Sequence, residues 1–159
     1  MKIVLDDLSG PEVAALLQEH LDDMRATSPP ESVHALDLEG LRRPEIRFWT
    51  LWLEGELAGC GALKRLDAGH AEIKSMRTAS RFQRRGVASS LLAHLIADAG
   101  NCGVQRLSLE TGSMAFFAPA RSLYAKHGFA FCPPFGDYRP DPNSLFMSRR
   151  LLPEPQGEA

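Results

Sequence analysis

One stretch constrains this chain more than any other: "SRFQRRGVASSLLAHLIADAG", residues 80–100. Three arginines, Arg81, Arg84 and Arg85, fall within five residues, just before a glycine and a long apolar-periodic run. Val87, Leu91, Leu95 and Ala99 recur at steps of four, with Ala88, Leu92 and Ile96 beside them. Ser90, His94 and Asp98 form the opposite, polar line. The pattern predicts an amphipathic helix over Arg84–Asn101, nucleated just before Gly86. Its first-turn N–H groups lack intrahelical partners, and the backbone is electropositive there. Adding three like charges costs folding free energy unless an anion sits at that end. A glycine lets backbone amides approach such a ligand without a Cβ in the way. Gly86, with Val87, Ala88 and Ser89 behind it, is therefore a candidate diphosphate-binding turn, with Arg84 and Arg85 adding charge-assisted contacts. The motif is neither GxxxxGK[ST] nor a GxGxxG opening a first β-α turn.

The rest of the chain supplies a mixed frame. "KIVL" (2–5) reads as a strand. Ser9 offers an N-cap and Pro11 a first-turn proline for a helix to about Arg25, carried by Val13, Leu16, Leu17, His20, Leu21 and Met24. "VHALDLEGL" (33–41) suggests short helical turns. Residues 46–67 read as a hairpin turning near Glu54-Gly55-Glu56, and 70–78 as a further strand. A strand over 104–111, a helix over 114–128 ending at Gly128, and strands over 129–132 and 145–151 follow. Hairpins mixed with two β-α-β passages imply an α/β (α+β) domain over residues 2–151, a mixed sheet with helices on both faces. Residues 152–159 look like a frayed tail. Alternation along 70–78 puts Glu72, Lys74 and Met76 on one face, and Ile73, Ser75 and Arg77 on the other.

Charge and composition narrow the function classes. The formal net charge of −2 over 159 residues gives no case for nucleic acid. Residues 1–40 carry nine acids against Lys2 and Arg25, whereas residues 41–90 carry ten bases against five acids. One end of the domain favours an anion, and the acidic first third suits a cationic partner. Cys60, Cys102 and Cys132 lie far apart with no CxxC or Cys/His cluster, so no metal centre is expected and a reducing cytoplasm fits. "MKIVLDDLSG" is too polar for a signal peptide, and no run approaches a membrane span.

Gln83-Arg84-Arg85-Gly86-Val87-Ala88 matches the pattern [Q/R]xxGx[G/A] and resembles the GNAT superfamily of acyl-CoA N-acyltransferases. The context extends the likeness: a strand ending "MRTASRF" precedes the turn, a long helix and a strand follow it, and then comes "ARSLYAKHGF". "EIKSMRT", "LSLETGS" and "PFGDY…DPNS…FM" resemble the bacterial YsnE-type subgroup. The resemblance implies a mostly antiparallel central sheet with a splay, acetyl-CoA as co-substrate, and direct transfer of the acetyl group to a primary amine of a small molecule or amino acid. It places Met76, Arg77 and Thr78 along the pantetheine arm, the turn from Arg84 to Ser89 at the pyrophosphate, and Arg81 at the 3′-phosphate. Tyr124 takes the family position that protonates the departing thiolate. An attacking amine, mostly protonated at neutral pH, needs a base or a water path. Glu72 is the first candidate base and Glu110 the second. The acceptor segments are 28–37 and 133–144, with Ser32, His34, Lys74, Glu110, Asp137 and Tyr138 as candidate acceptor contacts. A Glu72–Lys74 pair also suits a zwitterionic or carboxylate substrate. Homodimers are common in the family, although no specific interface is legible here. A peptide or protein acetyltransferase and a non-catalytic CoA-binding sensor or partner-binding domain are the rival readings.

Overall fold

The computed structural model describes residues 1–34 and 36–151. The tail expected to fray, residues 152–159, lies outside the described residues. Seven strands form one sheet: β1 (Lys2–Leu5), β2 (Ile46–Leu53), β3 (Glu56–Arg65), β4 (His70–Thr78), β5 (Arg106–Gly112), β6 (Ala130–Cys132) and β7 (Ser144–Arg150). Their spatial order is β1-β2-β3-β4-β5-β7-β6, and every pair is antiparallel except β4/β5. The β2/β3 hairpin turns on Glu54 (φ 50°) and Gly55 (φ 80°), a pair of left-handed residues whose twist matches that of the strands.

Helices cover both faces. Helix α1 (Pro11–Thr27) lays Val13, Leu16 and Leu17 on Phe48, Cys60 and Ala62. Helix α3 (Val87–Asn101) packs Leu92 and Leu95 against Leu63 and Ile73 on the opposite face, and α4 (Ala118–Lys126) joins that cluster through Tyr124. A short α2 (Leu38–Leu41) caps on Asp37, whose side chain accepts from the Gly40 amide. Gly59 and Gly61 let α3 approach the sheet. A Cβ on Gly59 would stand 2.8 Å from Val87 Cγ1 and 2.9 Å from the Arg77 carbonyl.

Several boundaries differ from the sequence expectation for local reasons. Helix α3 begins at Val87 because Gly86 (φ 79°) and Arg84 (φ 63°) are left-handed and cannot continue a helix. Gly10, not Ser9, occupies the N-cap of α1, because the Ser9 hydroxyl donates to Asp7 at 2.6 Å. The helix expected over 114–128 is a 3₁₀ turn at Ala115–Phe117 followed by α4, with Pro119 in the first helical turn. Asp98, on the polar line of α3, is buried and receives a bidentate Arg47 contact at 2.8 and 2.9 Å plus the Trp49 indole N–H.

The largest correction concerns β4. Cys60 pairs with Arg77 but Ala62 with Lys74, so Ser75 and Met76 together face Gly61. Ser75 adopts φ 55° in this bulge. The extra residue reverses the alternation beyond it. Met76 now lies on the α3 face, its sulfur 2.7 Å from where a Gly61 Cβ would be. Arg77 turns to the α1 face and pairs with Glu19 and with Asp23 at 2.6 Å.

Replacing Gly59 by Ala should cost about 1–3 kcal/mol, because the new methyl meets backbone as well as side chains and neither yields freely. The fall in the urea midpoint, at unchanged slope, measures it.

Candidate active site

The β4 bulge coincides with a parting of strands. β4 and β5 pair from His70↔Arg106 to Ile73↔Leu109 and no further. Beyond that point the two strands diverge, and the β4 edge from Lys74 onward has no β5 partner for its N–H and C=O groups. A cavity of about 680 Å³ runs through this gap. One end reaches the glycine turn at the start of α3. The other reaches α1, the 3₁₀ turn at Pro30–Ser32, and Tyr138 of the loop between β6 and β7.

At the turn, Arg84, Gly86, Val87, Ala88 and Ser89 line the cavity. The first α3 backbone bond is Ser90 N–H to the Gly86 carbonyl, so the amides of residues 87–89 remain available, as P-loop-like geometry at a helix start requires. Space beside Gly86 is open, and its positive φ is what requires glycine there. Arg81 and Arg85 stand apart from the cavity. Their guanidinium groups sit over the Phe82 ring at 5.2 and 5.4 Å, and Arg81 also meets Glu56 at 3.1 Å. The Ser89 hydroxyl is 3.0 Å from His127 Nε2 at the end of α4.

Where the strands part, Met76, Arg77 and Thr78 line the cavity from β4, and Glu110 lines it from β5 with Tyr124 from α4. Tyr124 is buried against Phe129. Burial, and next the charge of Glu110, push its phenol above the usual tyrosine range, so it stays protonated at neutral pH. Glu110 is pushed up from 4.5 to about 7, chiefly by burial and also by the charges of Glu72 and Asp141. The Ser144 hydroxyl and the Lys74 charge oppose that rise.

Glu72 is differently placed. It is buried, and its Oε2 accepts from the Tyr138 hydroxyl at 2.5 Å and from Lys74 Nζ at 3.3 Å. Lys74 also donates to the Tyr138 oxygen at 3.0 Å. Burial, then the charge and hydrogen bond of Glu72, drive the Tyr138 phenol well above its ordinary range. Tyr138 is held from the loop side by Phe135 and Phe146, with ring centroids 5.2 and 5.3 Å away. His34 meets its ring edge-on at 5.0 Å. Burial and the Lys74 charge depress the His34 pKa, against the pull of Asp141 and Glu72. The Ser32 hydroxyl donates to Asp141 at 2.6 Å, fastening the late loop to the segment after α1.

Of the residues singled out from sequence, Asp137 is exposed and away from the cavity, as are Arg81 and Arg85. The acid that does the loop's work is Asp141, four residues on. Sequence reading also passed over His20 and Met24, which line the cavity from α1; Ser28, just beyond it, lies in the expected acceptor segment 28–37. His20 gave a signal: a polar residue inside the apolar stripe of α1. It is buried, and burial with the Arg77 charge lowers its pKa to about 4 against the opposing charge of Asp23.

A turn that offers free amides, a parted strand pair and a helical tyrosine across the gap recur in one family. Residues 13–129 match the Acetyltransferase (GNAT) family. The chain belongs to this family, and it is an acyltransferase. It is 58% identical over 151 residues to the uncharacterized N-acetyltransferase YsnE of Bacillus subtilis, covering 95% of this chain and 100% of that one. The fold is similar to that of an assigned acyl-CoA N-acyltransferase of Klebsiella pneumoniae, with TM-score 0.78, 27% identity, and 95% and 97% of the two chains covered. A GNAT family acetyltransferase of Elizabethkingia anophelis with acetyl-CoA bound shares the fold at TM-score 0.67 and 20% identity, over 94% and 97% of the chains. Among the described residues of this GNAT protein, no helix is long and apolar enough to cross a membrane.

The elevated Glu110 pKa has a consequence for stability. A carboxyl whose folded pKa is raised stabilises the fold below its unfolded pKa, and this stability is lost as pH rises through the folded pKa. The window here is 4.5 to about 7. Glu110→Gln should therefore match the parent at pH 4 and exceed it at pH 8 by up to about 3 kcal/mol. Urea unfolding at the two pH values measures the difference.

Proposed function

We propose that the protein transfers the acetyl group of acetyl-CoA to a primary amine of a small molecule by direct attack, in the cytoplasm. The observation that carries the reading is the single cavity joining the Gly86 turn to Glu110 and Tyr124 through the parted strands. The free amides at Val87–Ser89 and the Arg84 side chain suit the pyrophosphate. The unpaired β4 edge from Lys74 to Thr78 suits the amide groups of the pantetheine arm, which hydrogen-bond as an added strand would. Arg81 and Arg85 stand apart from the cavity, exposed beside Phe82, where they suit a phosphate that projects beyond it, such as the 3′-phosphate. Three free cysteines fit a reducing compartment.

Glu110 is the better base of the two carboxylates. A base works best when its pKa lies near the working pH, and Glu110 lies at about 7. Glu72 already has its Oε2 engaged by the Tyr138 hydroxyl and the Lys74 ammonium. Its role is to anchor those two side chains. In the reaction, Glu110 accepts a proton from the ammonium, and the freed nitrogen attacks the thioester carbonyl carbon. The C–N bond forms and the C–S bond breaks as the tetrahedral centre collapses. Tyr124 gives its proton to the leaving sulfur. The charge of Glu110 is felt at Tyr124, so the phenolate lies where it can regain a proton from the base side. The nitrogen's second proton leaves to solvent.

Thermal unfolding with acetyl-CoA, free CoA and ATP tests the co-substrate. At about 100 times the dissociation constant a ligand adds about 2.7 kcal/mol, which is several degrees for a domain of this size. A shift with both CoA species but not ATP is expected, and no shift with either would end the reading. Kinetics test the roles. Tyr124→Phe should lower kcat about 10- to 100-fold with little change in acetyl-CoA affinity. Glu110→Gln should lower kcat and abolish its acidic limb near pH 7, whereas Glu72→Gln should keep that limb.

A further inference from the structure

The two cations that line the acceptor end of the cavity, Lys74 and Arg77, are both ion-paired with acids. This statement rests on the reading above, in which the glycine turn holds the phosphates and the α1 end receives the amine. Lys74 is almost fully buried, and its ammonium is spent on Glu72 and Tyr138. Arg77 is 11% exposed and pairs with two acids, Glu19 and Asp23. Arg84 lies at the far end, by the turn. His20 and His34, the remaining basic groups on this wall, are both held toward the neutral form by burial. Against the two cations stand Glu72 in the lining and, behind the lining, Glu19 and Asp23 on Arg77 and Asp141 on Ser32. The local balance is +2 against −4, before Glu110 is counted.

We infer that the acceptor is an amine carrying no anionic group, its far end neutral or cationic. A carboxylate entering here would meet two cations whose charges are already matched by acids, and would be desolvated in a region whose surrounding charge is net negative; the unpartnered Arg77 Nε–H offers it one hydrogen bond but no unmatched charge. Taking Lys74 from Glu72 would not help it, because Glu72 would then be left buried and without its cation, which is costly. An ammonium group meets the opposite situation: the field draws it in, and Glu110 takes its proton. Ser28, Ser32 and the edge of His34 offer hydrogen bonds to a neutral polar tail, and Met24 and Val33 offer apolar contact. The zwitterionic substrate that a Glu72–Lys74 pair suggests in sequence is disfavoured, since each member of the pair satisfies the other.

The test compares ω-amino acids of three to six carbons with amino alcohols of the same lengths, a pairing that changes the anionic group while keeping the amine similar. Thiol release from acetyl-CoA is the readout, on the full chain. Amino alcohols should exceed the matching amino acids at least tenfold in kcat/KM. Asp23→Asn, a substitution at an exposed ion-pair partner, loosens the hold on Arg77 and should narrow the gap at least threefold. Equal or reversed preference in the parent overturns the inference. So does an enzyme that is stabilised by acetyl-CoA yet releases thiol with none of the amino alcohols, and the co-substrate assignment then stands. If acetyl-CoA itself fails to stabilise the protein, the proposed function falls and the inference with it.

Discussion

The parting of β4 from β5 is the constraint on which the rest of the structure depends. A parallel pair buried between helix layers normally continues to its strand ends, because unpaired backbone N–H and C=O groups are costly away from water. Here the ladder stops at Ile73↔Leu109, although both strands run on. The bulge at Ser75 and Met76 makes this tolerable. It bends β4 and gives the next residues a different register with β3. The remaining cost is a row of unpaired groups facing a cavity, which is what a ligand with its own amides can satisfy. A local defect in one strand thus leaves an edge open to a ligand.

The same bulge decides which side chains meet the two halves of the cavity. With regular alternation Arg77 would point to α3, where Leu91 and Val87 pack on Gly59, and Met76 would point to α1 among the acids. One extra residue swaps them. Arg77 then finds Glu19 and Asp23, and Met76 fills the space that Gly61 leaves beside Leu95. The two glycines and the bulge act as a unit: the small residues admit α3 and Met76, and the bulge delivers Met76 to them.

What sequence reveals and what it hides follow from this. The glycine turn, the helix behind it and the hairpin at Glu54-Gly55 are legible because their signals are local: apolar steps of four, positive-φ residues, turn chemistry. The mostly antiparallel mixed sheet, and the choice of Tyr124 as a residue to look for, follow instead from the family resemblance that the glycine turn opens. The facing of Met76 and Arg77 is not, because alternation fails where a bulge occurs, and nothing in "EIKSMRT" marks Ser75 for φ 55°. Asp137 and Asp141 are chemically alike in the sequence. Only the fold shows Ser32 within 2.6 Å of the second and solvent around the first. The three arginines before the helix read as one cluster, yet the left-handed Arg84 sends itself to the cavity and its neighbours to Phe82.

The two glutamates show how position separates identical chemistry. Glu72 and Glu110 lie on neighbouring strands and both face the gap. Glu72 has a lysine and a phenol within hydrogen-bond reach, so its carboxyl group is tied into the wall. Glu110 has burial without a bound cation, and Lys74 only partly relieves it from a distance. The difference traces to Tyr138, whose ring is wedged by Phe135, Phe146 and His34 so that its hydroxyl reaches Glu72 and not Glu110. The proline-rich late loop therefore does more than cover the acceptor end. Its Tyr138 engages both Glu72 and Lys74, whereas Glu110, outside that hydrogen-bonded group, is raised to about 7 chiefly by burial. One hydrogen-bonded triad thus separates two carboxyl groups of the same chemistry that face one cavity.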